Sequence, residues 1–570
     1  MKETKKIALL LVITLITSLL SSACGNSKEA NTDTTPVVAE NNTDGNIDDN
    51  NSENSANNTE YDDSYLGEPL PPRYMYGGEW DFLPQEPIDI PKLSEMEYVR
   101  PDIDGLLASY DTYLSKIPEY SDIASLIKDF HETVSIHYRN FNTMYRLAYL
   151  RYSYNMKDEY YTSEYEYLAE QAPFVHDKFA LIMAALTESP FSKELEEKYF
   201  SNDFEYYKGY SGASAKYLEL LNQEQKLTNE YYTLTAGNDC SDYNGIADIY
   251  LKLIKVRHEI AVERGYDNYL EYAYVESYGK DYTTEDARNF LKYIKDYIYP
   301  IRGLLTGGDI PDFSDKDIIT MLGESTKEMG GPIWDAYRYL RKYELYQFGT
   351  NSNSMDGSYE MYLSDYEIPI IYLCNRSFSS LSHEFGHFTD ELYNYGAYAD
   401  HDSSEVSSQT MEFLTIAYSP SITEDAKAKY QKALITEALD DIIYWAADTL
   451  FEMDIYTADP DTLTINDIES IYYKSHIAYG FGPNKKDWVY RSHFIDYALY
   501  MINYATSAMA AVQIMRMECE KKGSGVDGFI HFISQDKEDG FKTILKKAGL
   551  ASPFEEETFL KTAEFIKSFK

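Results

Sequence analysis

The pentapeptide His383-Glu384-Phe385-Gly386-His387 combines two imidazoles and a carboxylate at a spacing that suits metal chemistry. Helical residues four apart lie one turn apart on one face, so His383 and His387 can grip one metal ion. Glu384 emerges beside them, placed to take a proton from a metal-activated water. A catalytic zinc takes three protein ligands and keeps one position open. No third histidine and glycine follow at metzincin spacing, so a site of two histidines and one glutamate is preferred. Glu405 is the candidate. It opens the stretch Glu405-Val-Ser-Ser-Gln-Thr-Met-Glu412, which reads as a second helix with acids two turns apart on one face. Glu412 either hydrogen-bonds the far nitrogen of a metal histidine or is an ordinary exposed helix glutamate.

Elements must hold these groups. Ile368-Pro-Ile-Ile-Tyr-Leu-Cys374 is short, β-branched and opens near a proline, which predicts an edge strand. Such a strand could add an extended peptide through its unpaired backbone groups, or simply close a small hairpin. Ser377 to Ser380 supply N-cap chemistry for the His383 helix, and Gly396 breaks the chain before the Glu405 helix. His401 and Asp402 read as loop residues, and His476 as a surface or core histidine. Met515 and Met517 read as packing residues. Elsewhere helical periodicity dominates from Pro91 onward, as over Ile123 to Leu150 and Tyr250 to Val275. Gly307-Gly308, Gly330-Gly331-Pro332 and Gly480 to Pro483 mark loops. The chain has 57 tyrosines, so packing is the default role for any one of them.

Composition excludes some functions. The net charge is −44 with no basic stretch to neutralise phosphates, which argues against nucleic-acid binding. Cys240, Cys374 and Cys519 are widely spaced, so no disulfide framework or Cys-rich metal site is expected. Lys2, Lys5 and Lys6 precede an apolar run from Ile7 to Leu20 and the small residues Ser21-Ser22-Ala23, the pattern of an export signal over 1–23. Cys24 follows as in a bacterial lipobox, although Ser21 stands where a leucine is usual. The expectation is a lipid on Cys24 and an extracytoplasmic protein anchored to the cell membrane. Residues 24–90 are then an acidic, polar, disordered tether. A folded domain over 91–570 remains, with a catalytic core at about 360–510.

Beyond the metal motif the sequence resembles the thimet oligopeptidase and oligoendopeptidase F family of zinc peptidases. The resemblance is carried by HEFGH with the E-x-x-S-Q-x-x-E run. It extends to Ile254-Lys-Val-Arg-His-Glu-Ile-Ala, Gly265-Tyr-Asp-Asn-Tyr269, and Asp281 to Asp286. Further on, Trp488, His493 and Tyr500-Met-Ile-Asn-Tyr504-Ala are similar to the family's W…H…YxIDYA pattern, and Ala548 to Glu555 to its C-terminal end. It implies a mainly α, two-lobed, multi-helical peptidase with a deep central channel and a small β element beside the zinc helix. It also implies one zinc ion on His383, His387 and Glu405, with Glu384 as general base and short peptides as substrates. His493, Tyr504 and Tyr500 are the candidate donors to a tetrahedral oxyanion. Asp390 stands where the family often has a further histidine, and Asn375-Arg-Ser replaces a glycine-containing turn. The alternative reading is a surface lipoprotein that captures peptides for uptake without cutting them.

Overall fold

The structure is a computed structural model. It describes residues 66–568 except 68, 79–85, 201–203, 205–206, 236–239, 305–309, 312, 314–316, 350–352 and 398–399. The signal pattern, Cys24, the tether up to residue 65 and Gly307-Gly308 lie outside the described residues. The architecture is mainly α, with a three-stranded sheet packed beside the metal-motif helix. Among the described residues no helix is long and apolar enough to cross a membrane.

The first periodic stretch folds as expected, Ile123–Phe130 running on through His131–Ser135 into Ile136–Tyr154. The second, Tyr250 to Val275, is not one helix: it divides between Tyr243–Glu263 and a separate segment that starts at Tyr269–Tyr272 and continues through Ala273–Ser277. The helix Tyr243–Glu263 stops where Gly265 turns the backbone at φ 86°. Gly330, at φ 72°, ends the helix Ile318–Met329 and starts Gly331–Lys342, a conformation that glycine adopts without a Cβ penalty.

The sheet corrects the edge-strand expectation. Its strands are β1 (Tyr346–Phe348), β2 (Tyr359–Leu363) and β3 (Ile368–Leu373), in the order β1-β3-β2. β3 is therefore the fully buried middle strand, parallel to β1 and antiparallel to β2. Pro369 is tolerated because β1 pairs only with Ile371 to Leu373, leaving Pro369 opposite Tyr362 of β2 alone. An added peptide strand finds no open edge along Ile371 to Leu373.

The ordered domain also begins earlier than residue 91. Arg73 is buried, its Nε donating to the Glu367 carbonyl at 2.8 Å and its Nη1 to the Leu392 carbonyl at 2.9 Å. These bonds tie the segment around Arg73 to β3's entry and to the end of the metal-motif helix.

Candidate metal centre

The metal-motif helix runs over Phe378–Tyr393 and is capped by Ser377, whose hydroxyl accepts from the Ser380 N–H at 3.3 Å. The Glu405 helix runs over His401–Tyr418 and is capped by Asp400. His401 and Asp402 are therefore its buried first turn and not a loop. Asp402 pairs with buried Lys280 at 3.0 Å and accepts from Tyr282 and Thr506, which pins that turn to the helix Met501–Glu520. A lysine more than a hundred residues upstream leaves no local trace in the sequence around Asp402.

The two helices touch backbone to backbone at Gly386. A Cβ there would lie 2.4 Å from the Ser407 carbonyl oxygen and 2.5 Å from the Ser408 Cα. Asp390 reinforces the contact: its Oδ2 accepts from Ser407 Oγ at 2.7 Å, and its Oδ1 pairs with Lys537 at 2.7 Å.

This approach brings His383, His387 and Glu405 together, with ligand atoms all within 4.8 Å of one another. Glu405 Oε2 is 3.4 Å from His383 Nε2 and 3.6 Å from His387 Nε2. Ligands at zinc bond lengths in a tetrahedron stand about 3.3 Å apart. His383 Nδ1 lies 2.6 Å from Glu412 Oε1, and His387 Nδ1 lies 2.9 Å from Ser404 Oγ. A proton on each Nδ1 leaves both Nε2 atoms bearing lone pairs toward Glu405. Glu412 is thus hydrogen-bonded to His383.

Charge supports the same assignment. Burial lowers the His387 imidazole to about 4, so the ring is neutral at pH 7. Burial alone would raise Glu405, but the His387 and His383 imidazoles and the Tyr500 hydroxyl bring it down to about 2. Burial pushes Glu384 well above the usual carboxylate range, and the Glu405 and Glu412 charges push the same way. Glu384 is fully buried, and neither of its oxygens, nor His387 Nε2, has a hydrogen-bond partner among the described residues. Bare buried polar atoms cost roughly 1–3 kcal/mol each. Two acids and two imidazoles gathered around such atoms fit a divalent cation.

A cleft opens beside this group, lined by His383, Glu384, Gln409, Trp445, His493 and Tyr504 among others. His493 Nε2 and the Tyr504 hydroxyl lie 3.2 Å apart. Arg257, on the helix Tyr243–Glu263, donates to the Phe494 carbonyl at 3.2 Å and also to that of Ile495, holding the turn that presents His493. Tyr500 does not share that lining. Its hydroxyl donates to Glu405 Oε1 at 2.7 Å, so it meets the buried carboxylate and not the cleft. Ser404 has no part in the sequence reading, and Ser408 enters it only as the serine of the E-x-x-S-Q-x-x-E run, without a role of its own. Their signal was the presence of weak helix formers at helical spacing around Glu405.

His401 packs its ring on Tyr278 and Tyr500 at centroid distances of 5.5 and 5.1 Å. Burial and the nearby Lys280 ammonium lower it to about 3 from an ordinary value of 6.5. The unfolded chain therefore takes up this proton first as pH falls. The stability due to the neutral ring is complete above about 6.5 and declines toward pH 3. His401→Asn should gain on the parent during acidification. The melting-temperature difference between the two metal-free proteins should move in the variant's favour from about pH 7.5 to pH 5. A difference constant over that range would show that the ring titrates normally.

With fold and site described, the chain can be set beside known proteins. Residues 93–208 match the family model described as the peptidase M3 N-terminal domain. A structure assigned as oligoendopeptidase F shares the fold with a TM-score of 0.74 and 21% identity, covering 84% of this chain and 98% of that one. Another so assigned, from Bacillus anthracis str. Ames, gives a TM-score of 0.70 and 20% identity over 84% and 97%. PZ peptidase A, solved with an inhibitor, gives 0.73 and 22% over 84% and 98%. No curated protein matches the chain. The fold is that of the oligoendopeptidase F structures.

Proposed function

We propose that the chain is a zinc-dependent endopeptidase that hydrolyses short peptides. The observation that carries this reading is one cleft in which Glu384 and His383 face His493 and Tyr504, above the buried His383, His387 and Glu405 group. His383 and His387 would hold zinc through Nε2, and Glu405 through Oε2. Zinc bound there would lower the pKa of a water molecule and polarise the scissile carbonyl. Glu384 takes the proton of the attacking water on a carboxylate oxygen and delivers it to the leaving amine. The Tyr504 hydroxyl and the His493 imidazole donate to the carbonyl oxygen as negative charge develops on it. Arg257 and the packing of Trp445 against Tyr504 keep these donors in place, which lowers the reorganisation needed in the transition state.

The names of the structures that share the fold support short peptides as substrates, as does the resemblance of the sequence. The N-terminal signal pattern supports export, a lipid on Cys24 and action just outside the membrane. A set of quenched peptides of graded length, with and without chelator, tests the reading. Cleavage of the shorter peptides should disappear with chelator and return with added zinc. Peptides bound tightly but left intact by the zinc-loaded protein would instead mark it as a capture lipoprotein.

A further inference from the structure

We propose that Tyr500 is a positioning residue for Glu405, fixing the carboxylate so that a single oxygen faces the imidazoles. The inference rests on the zinc reading above. Glu405 is fully buried, and its two oxygens have different partners. Oε1 accepts from the Tyr500 hydroxyl at 2.7 Å. Oε2 accepts from Ser408 Oγ at 2.8 Å and is the atom that lies 3.4 and 3.6 Å from the two Nε2 atoms. A carboxylate held in this way is a one-pronged ligand. If Oε1 were released it could swing onto the metal, filling the position that a catalytic zinc keeps open.

The Tyr500 ring is itself well fixed. It is 2% exposed and packs on His401, Tyr278, Tyr497 and His493. Tyr504, one helical turn on, lines the cleft instead. The two tyrosines therefore divide the work, one acting on a ligand and the other facing the substrate.

Tyr500→Phe removes one oxygen and no bulk. Its zinc affinity, measured by chelator competition, should fall about ten- to hundredfold, the usual effect of losing a group that orients a ligand. With cobalt(II) in place of zinc, the visible absorption should weaken as a second oxygen enters the coordination sphere. Ser408→Ala removes the other hydrogen bond to this carboxylate and should lower affinity in the same direction. Tyr504→Phe should lose activity with its zinc affinity unchanged. Parent-like affinity and cobalt spectrum in Tyr500→Phe, with a reduced kcat, would overturn the proposal and return Tyr500 to the substrate side. A parent protein that binds no zinc would fail the proposed function itself, a different result from unaltered affinity in the variant.

Discussion

Replacing Glu384 with Gln is expected to lower kcat/KM for peptide hydrolysis by about a hundredfold to ten-thousandfold, the range that a general base contributes. Zinc should stay bound, because the three ligand atoms come from His383, His387 and Glu405. The exchange preserves shape in a fully buried position. Neither Glu384 oxygen has a partner among the described residues, so the amide breaks no bond that holds the ligands. His383 keeps its contact with Glu412 and His387 its contact with Ser404. Burial already favours the uncharged acid in the metal-free protein, so the metal-free variant should melt close to the parent. Turnover of a quenched peptide and metal analysis of the same sample decide the matter. Parent-like turnover at one zinc per chain would mean that another group accepts the proton. Loss of zinc would mean that Glu384 supports the ligand set directly.

The parts of the molecule legible in the sequence are those set by local periodicity. The HExxH spacing, the serine cap before it and the acid face of the Glu405 helix all follow from 3.6 residues per turn. Glycine punctuation was readable at Gly330, which ends a helix at a positive-φ position where a side chain would strain, but not at Gly265, which breaks the stretch read as helical from Tyr250 to Val275. What stayed hidden depends on partners far along the chain. Pro369 suggests an edge strand until β1, more than twenty residues earlier, is seen to pair with only half of β3. His401 and Asp402 look like loop residues until Lys280, Tyr282 and Thr506 are placed around Asp402. Tyr500 and Tyr504 are equivalent by spacing. Only the tertiary position of Glu405 separates them, since one hydroxyl reaches its Oε1 and the other the cleft. Asp390 makes the same point: where the family often has histidine, this chain has an acid answered by Lys537 and Ser407.

Gly386→Ala should weaken zinc binding a hundredfold or more and lower the melting temperature, although alanine is the better helix former. Propensity alone favours alanine in a helix interior by about 1 kcal/mol. Against that, the new Cβ would meet the Ser407 carbonyl oxygen at 2.4 Å and the Ser408 Cα at 2.5 Å. Both are backbone atoms, so no side-chain rotation relieves the clash. Ordinary van der Waals contact begins at 3.4 Å, so the helices must part by about 1 Å. Overpacking of this kind costs about 1–3 kcal/mol or more. The larger consequence falls on the metal site, because Ser407 and Ser408 share a helix with Glu405. A usable zinc site tolerates departures of only about 0.2 Å in its ligand distances, so a shift of that size takes Oε2 out of range. Gly482→Ala is the matched control, since a Cβ there meets nothing within 4 Å. It should leave both zinc affinity and melting temperature unchanged. If Gly386→Ala instead folds and binds zinc like the parent, helix separation is not what places Glu405. The Tyr500 and Ser408 hydrogen bonds would then have to hold the carboxylate in position on their own.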